Sequence, residues 1–407
     1  MATVLAYTSP ALGHLYPMMP ILLELADRGH HVHVRTRSGL VPMVRAQGLQ
    51  AEPIDPQVEA IEEPQPTPRN LKTALGVAAS MLCDRGLLDA MDFKRAIDDT
   101  GADVLIVDTN SWGAIATAQA QSLPWVHFAP YLLPLPSRGT PPFGPGLARR
   151  TDLVGRVRDA VVGRLMFDAI IKEITPRINR VRRSVGLPAI SSYADALLDC
   201  DRMIVTSSEP FDYPHPDWPG HVHQIGAAPW EPPEELPAWV SDLPGPLTLV
   251  TTSSEAQSDH LLARVAAQGL AGEPGSVIIT MPAGVPHDLA TGTAPNIHVA
   301  RYVPHAPILA RTAVAVTHGG LGVTQKALAA GVPVCVVPFG RDQFETAARA
   351  VHAEAGTRLA ASRLSPVRLR RAVRAAADKR PGAARCAAGF EAAGGGVAGA
   401  DVVEELL

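Results

Sequence analysis

The sequence predicts an α/β protein of two facing lobes, each a parallel sheet covered by helices. Short apolar runs alternate with segments of helical period, the pattern of βα units. The stretch GAAPWEPPEELPAWVSDLPGP, residues 226–246, breaks that rhythm with proline and acid, and the rhythm restarts at once with LTLVT from Leu247. The length of 407 residues suits two or three domains at roughly 100–200 residues each. The expected division is a lobe over 1–225, a linker over 226–246 and a second lobe over 247–407.

Thr3–Tyr7 reads as a strand and TSPALGHLYP as the loop after it. A helix is expected from about Tyr16 to Arg28, with Pro17 suited to its first turn and Leu15, Met18, Met19, Leu22 and Ala26 on one face. Gly29 stops it, and HVHVR (His31–Arg35) alternates like a strand. DVLIV (Asp103–Val107) is a buried-type strand ending at Asp108. Helical NSWGAIATAQAQ and the strand Trp125–Phe128 follow. Two irregular segments, Glu62–Asn70 and the proline-rich Pro130–Gly146, come after strands, where open α/β sheets keep their ligand crevices. The second offers Tyr131, Leu132, Leu133 and Phe143 to line an apolar acceptor pocket; its other reading is a surface loop held by polyproline segments. In the second half, a helix is expected from Asp259. Strands are expected at Ser276–Thr280, Asn296–Val299 and Ala313–Thr317, and the tail is Gly-rich, then helical, folding back across the linker.

Composition narrows the function. Hydrophobic residues make up 46% and charged residues 19%, so a large core forms and global disorder is excluded. A formal charge of -4 gives no bulk attraction to nucleic acid or to an anionic membrane. Cys83, Cys200, Cys335 and Cys386 have no ligand-like spacing and read as thiols of a reducing compartment. No basic leader precedes the first apolar run, and no apolar stretch reaches the ~18 residues of a membrane span. A cytoplasmic protein is expected. Asp199 and Asp201 in LDCDR form a metal-type pair, but they lie far in sequence from the motifs below, and no metal is expected.

The richest stretch is RYVPHAPILARTAVAVTHGGLGVTQKALAAGVPVCVVPFGRDQFETAARAV, Arg301–Val351. A buried strand runs into the turn THGGLGVT, which opens a helix over Val323–Ala330 capped by Gly331. Such a unit aims backbone N–H groups at one spot, and the helix terminus adds roughly half a positive charge, which suits a phosphate. Gly319, Gly320 and Gly322 allow close approach, and His318 adds a side-chain hydrogen bond. The next strand leads to Asp342 and Gln343, an acid and an amide fit for adjacent sugar hydroxyls. The preceding one leads to Tyr302, whose ring can stack on a base. Three consecutive strand ends thus describe a nucleotide-sugar site.

This stretch resembles the donor motif of the glycosyltransferase family that includes plant secondary-metabolite and actinobacterial antibiotic enzymes. The likeness also covers TSPALGHLYPMMPILLELADRGHHV and extends to VDTNSWGAIATAQAQSLPWVHFAPY and LTLVTTSSE. It implies the GT-B fold, two facing Rossmann-like domains with acceptor on the first, donor on the second and a last helix folding back. It further implies His318 and the amides around Gly320 and Gly322 on the diphosphate, Asp342 and Gln343 on the sugar, and Tyr302 on the base. Gly13, Val303 and Ser254 complete the candidate donor contacts. Several positions depart from the family pattern. Val323 stands where a Ser or Thr usually touches phosphate, with Thr324 one place later as a substitute. His305 replaces a Gln, Ser253 a Gly, and Lys326 a Glu that often holds the ribose diol. The last departure favours dTDP over UDP.

The resemblance also implies a catalytic pair at His14 and Asp108. Beside a helix N-terminus the imidazole is disfavoured in its protonated form, so His14 can serve as a general base. Asp108 would fix its tautomer. The reading is an inverting transfer from a UDP- or dTDP-sugar to a hydroxyl of a small apolar acceptor such as a polyketide, macrolide or flavonoid-like aglycone. No cofactor or metal is expected, nor a nucleic-acid or membrane partner. Val323, His305 and Lys326 keep open a non-catalytic auxiliary protein of the same fold; another nucleotide-sugar enzyme, such as an epimerase, fits less well.

Overall fold

The computed structural model describes residues 1–62, 71–253, 259–291 and 293–407. The first lobe holds β1 (Thr3–Tyr7), β2 (His31–Thr36), β3 (Gln50–Pro53), β4 (Val104–Asp108), β5 (Trp125–Ala129), β6 (Arg202–Val205) and β7 (Val222–Gln224). The second holds β8 (Leu247–Thr251), β9 (Ser276–Thr280), β10 (Ile297–Ala300), β11 (Thr312–Thr317), β12 (Val334–Val336) and β13 (Gly356–Arg358). Among the described residues these form two sheets, ordered β3-β2-β1-β4-β5-β6-β7 and β10-β9-β8-β11-β12-β13, with every pairing parallel. Strands buried on both faces read as unbroken apolar runs: VLIV of β4 and VIIT of β9 are fully buried.

In each sheet the strand order reverses once, between β1 and β4 and between β8 and β11. Loops leaving neighbouring strands at such a point diverge to opposite faces and leave a crevice at the carboxyl ends. The loop after β1 leads to His14 and β4 ends on Asp108. The loop after β8 carries Thr252 and Ser253, and β11 leads to His318.

The expected strands and helices are present, with displaced boundaries. The first helix spans Leu12–Asp27 and starts inside TSPALGHLYP, so Gly13 and His14 lie in its first turn and Pro17 in its interior. Neither Pro17 nor Pro20 can donate to the preceding turn; packing of the buried Leu15, Met18, Met19, Ile21, Leu22 and Leu25 holds the helix regardless. The glycine-turn helix spans Leu321–Ala329, starting two residues and ending one residue earlier than expected. The helices Leu71–Thr100, Leu153–Glu173 and Thr175–Ser184 were absent from the sequence reading. Of the irregular segment Glu62–Asn70, all but Glu62 lies outside the described residues.

The tail folds back as expected. The helix Gly395–Glu404 packs on Leu12–Asp27, with Arg28 paired to Asp401 at 2.7 Å and Glu404 at 2.6 Å. Gly396 and Gly399 permit the contact, because a Cβ would stand 2.7 Å from the Pro20 carbonyl oxygen and 2.6 Å from the Ile21 side chain respectively.

The proline-rich segment corrects an expectation. Leu132 is fully buried in a core that continues into the second lobe through Leu249, Ile308 and Ala347, and Phe143 packs against the same core. Leu133 is buried beneath β5 and β6 with Met203 and Val205. Leu132 and Leu133 are core and Phe143, half-buried, packs against it, so none of the three is pocket wall; of the four, Tyr131 lines the cleft. Further along, the amides of Gly144 and Gly146 both donate to Glu345 Oε1 at 2.7 Å. Gly146 has φ +59°, and a Cβ there would meet the Phe344 carbonyl oxygen at 2.1 Å. The segment is a strap that docks the first lobe on the helix Gln343–His352 of the second.

Candidate active site

A cavity of about 540 Å³ lies between the two lobes, lined from the first by Gly13, His14, Tyr16 and Tyr131 and from the second by Tyr302, His318, Gly320, Gly322, Val323 and Asp342. The linker closes one side with Trp230, Glu231 and Glu234. The two groups read from opposite halves of the sequence therefore share one space.

On the first lobe, His14 Nδ1 is 2.8 Å from Asp108 Oδ1. Asp108 is fully buried; Ser9 N–H donates to its Oδ2 at 2.8 Å and Asn110 N–H to its Oδ1 at 3.3 Å. Burial alone would raise the Asp108 pKa, but the facing imidazole and the Ser9 hydrogen bonds outweigh it and hold the carboxyl below its ordinary value. An ionised Asp108 accepts from Nδ1–H, which puts the ring's lone pair on Nε2. The following helix, Trp112–Ala120, has Ser111 at its N-cap position, three residues beyond Asp108. Sequence reading missed Asn110: its Nδ2 lies 3.3 Å from His14 Nε2 and its Oδ1 accepts from the Tyr131 hydroxyl at 3.0 Å. The tandem DTN was the available signal.

On the second lobe, Gly320 caps the helix Leu321–Ala329 with no side-chain acceptor, so its first amides have no intrahelical partner and turn toward the cavity. Gly319 has φ +97°, and a Cβ there would stand 2.9 Å from that of Gln343; the turn requires glycine. His318 is buried and its Nδ1 has no hydrogen-bond partner among the described residues. Burial lowers its pKa, against the opposing field of Asp259, so the ring is neutral near pH 7. Burial likewise raises the Asp342 carboxyl above its ordinary value. Tyr302 keeps 43% of its surface exposed, at the cavity wall, available for stacking.

Three expected donor contacts face elsewhere. Thr324 is buried, and its hydroxyl donates to the Gly320 carbonyl at 2.8 Å and meets Thr317 Oγ1 at 3.1 Å. It back-bonds within its own helix and does not replace the Ser or Thr displaced by Val323. The Val303 side chain is sealed in the second-lobe core. Gln343 Oε1 accepts from the amides of Phe339 and Gly340 at 2.8 and 3.1 Å, shaping the loop that presents Asp342. Ser254 lies outside the described residues. Asp201 is engaged by the Trp125 amide at 3.0 Å, on the far side of the first sheet from its crevice end.

The Lys326 departure has a structural explanation. Lys326 Nζ is 2.7 Å from Glu231 Oε2, and the amides of Ala306 and His305 donate to the same carboxylate at 2.7 and 3.2 Å. Burial raises the Glu231 pKa, and these partners more than offset it, so the carboxylate stays ionised. Beside them His305 is pushed down to about 4, first by burial and then by Lys326. A carboxylate does reach this corner, from the linker instead of the helix. Glu231 was legible only as one of several acids in a linker-like run.

Residues 265–397 match the family described as the erythromycin biosynthesis protein CIII-like C-terminal domain. The chain is 30% identical to the 4'-demethylrebeccamycin synthase of Lentzea aerocolonigenes, over all of both chains. It is 28% identical to the L-demethylnoviosyl transferase of Streptomyces niveus over 88% of this chain and 84% of that one. Among solved structures, the calicheamicin glycosyltransferase CalG4 superposes with a TM-score of 0.73 at 20% identity, covering 100% of this chain and 98% of that one.

Proposed function

The chain belongs to the GT-B glycosyltransferases of antibiotic biosynthesis, and from that premise we propose that it carries a sugar from a UDP- or dTDP-sugar to a hydroxyl of a small apolar natural product, with inversion. The acceptor occupies the first lobe, residues 1–225, and the donor the second, residues 247–407, joined by the 226–246 linker. The observation that carries the proposal is a histidine–aspartate pair at 2.8 Å whose imidazole shares one cavity with a glycine-turn helix terminus of the other lobe.

The chemistry follows from the parts. His14 Nε2 takes the proton of the acceptor hydroxyl, whose oxygen attacks the anomeric carbon in line. The bond from that carbon to the diphosphate oxygen breaks, and its electron pair leaves with the diphosphate. Amides of Gly320, Leu321 and Gly322 and the neutral His318 ring are fixed dipoles aimed at the growing charge. Asp342 holds sugar hydroxyls, Tyr302 stacks on the base, and Asp108 stabilises the imidazolium formed. Glu231 supports a preference for dTDP: both of its oxygens are engaged by Lys326 and two amides, so it is poorly placed to accept from a ribose diol.

Purified protein screened by mass spectrometry against UDP- and dTDP-sugars with mixed apolar aglycones tests the reading. A glycosylated product with inverted anomeric configuration by NMR, formed equally well in a metal chelator, is expected. Nucleotide release with retained configuration, or dependence on added manganese, would overturn the mechanism.

A further inference from the structure

The ring edge that serves as base in the proposed mechanism is not bare. Asn110 Nδ2 sits 3.3 Å from His14 Nε2, and Asn110 is held there from behind by the Tyr131 hydroxyl, 3.0 Å from Oδ1. Burial raises the Tyr131 pKa, so its hydroxyl remains a donor. Tyr131 also meets the imidazole edge to face, with ring centroids 6.0 Å apart. The hydrogen-bond directions form one consistent series. Tyr131 O–H donates to the Asn110 carbonyl oxygen, the Asn110 amide donates to Nε2, and Nδ1–H donates to Asp108. Reversing the amide would set its carbonyl oxygen against the Nε2 lone pair.

We propose that Asn110 is a positioning residue that guards the base. It occupies the Nε2 lone pair until an acceptor displaces it, and so keeps water from being activated against the sugar donor. The inference rests on His14 being the base. The reaction it suppresses is donor hydrolysis. A water molecule gives its proton to Nε2 while its oxygen bonds the anomeric carbon, and the carbon–oxygen bond to the diphosphate breaks with its electrons on the diphosphate. A bulky acceptor hydroxyl brings the contact area needed to move the amide aside; a lone water does not. After proton uptake, Nε2–H faces the amide N–H, so Asn110 must rotate to offer Oδ1, and Tyr131 can follow because a phenol also accepts.

The readout is release of UDP or dTDP from UDP-glucose and dTDP-glucose with no acceptor present. Asn110→Ala is expected to raise hydrolysis about tenfold, the order of one lost side-chain hydrogen bond, and so to lower the ratio of transfer to hydrolysis. Tyr131→Phe, which keeps the ring, is expected to move hydrolysis in the same direction by less. The double variant Asn110→Ala with His14→Ala should lose the increase, because the base is gone. A merely structural role for Asn110 predicts that hydrolysis falls with transfer. Nucleotide binding by calorimetry, together with unchanged or lower hydrolysis in both single variants, overturns this inference alone. Binding of neither donor by the native protein overturns the proposed function beneath it. Should Asn110→Ala fail to fold, Tyr131→Phe still decides, since it removes one oxygen atom.

Discussion

A histidine in a first helical turn is commonplace; what distinguishes His14 is a carboxylate that the fold buries completely and leaves ionised. Asp108→Asn keeps the shape but not the charge, so the ring loses its fixed tautomer, and transfer should fall by about 10²–10⁴-fold with nucleotide affinity unchanged. A second histidine shows the opposite use of burial. His127 lies fully inside on β5, donates from Nδ1 to the Leu197 carbonyl at 2.9 Å and is pushed down to about 4 by desolvation. Its folded pKa is below its unfolded value of about 6.5. Unfolded chains therefore bind more protons, and stability present above pH ~6.5 is lost as pH falls toward 4. Urea midpoints of the native protein should decline over that window, and His127→Gln should flatten the decline. Sequence alone placed His127 inside an apolar strand and His14 in the loop after one, but showed the partners of neither. The family motif marked His14, and only packing shows what surrounds His127. Asn110 had only the tandem DTN as a signal, and a polar residue after a strand is ordinary until its neighbours are known.

At the scale of elements, strands were the most legible, because β4, β5, β8 and β9 are buried on both faces and must read as apolar runs. Helix starts were less so. Ala11 and Gly320 begin helices without a side-chain cap, and with no Ser, Thr, Asp or Asn at the cap the usual start signal is missing. The proline-rich strap was read as pocket lining because its apolar residues face two cores that sequence cannot tell from a ligand. Its docking partner is a buried ion network. Arg349 is 2.6 Å from Asp212 on the first lobe and 2.7 Å from Glu345 on its own helix, and it lies over the Tyr213 ring at 4.4 Å. Truncation to Arg349→Ala strands two buried carboxylates and should cost about 3–5 kcal/mol in denaturant unfolding. Leu132→Ala should cost about 2–5 kcal/mol without changing the acceptor KM; a raised KM at native stability would return Leu132 to the pocket.

For the whole molecule, the two halves of the site depend on how the lobes are held. The contacts that do this include the strap on Glu345, the Asp212–Arg349 pair, and the tail helix that crosses back to the helix bearing His14. The tail's composition announced a helix, but only the close approach of Gly396 and Gly399 to Pro20 and Ile21 explains its glycines. Gly399→Val should force the two helices apart, lower stability by about 1–3 kcal/mol and reduce transfer more than nucleotide binding, because the donor lobe is untouched. Calorimetry beside a product assay checks the split. In the proposed reaction an imidazole of one lobe deprotonates the acceptor while the other lobe receives the leaving diphosphate. Turnover of His14→Ala at saturating donor and acceptor tests it most directly: a fall of about 10²–10⁴-fold is predicted, and turnover equal to that of the native protein would contradict it.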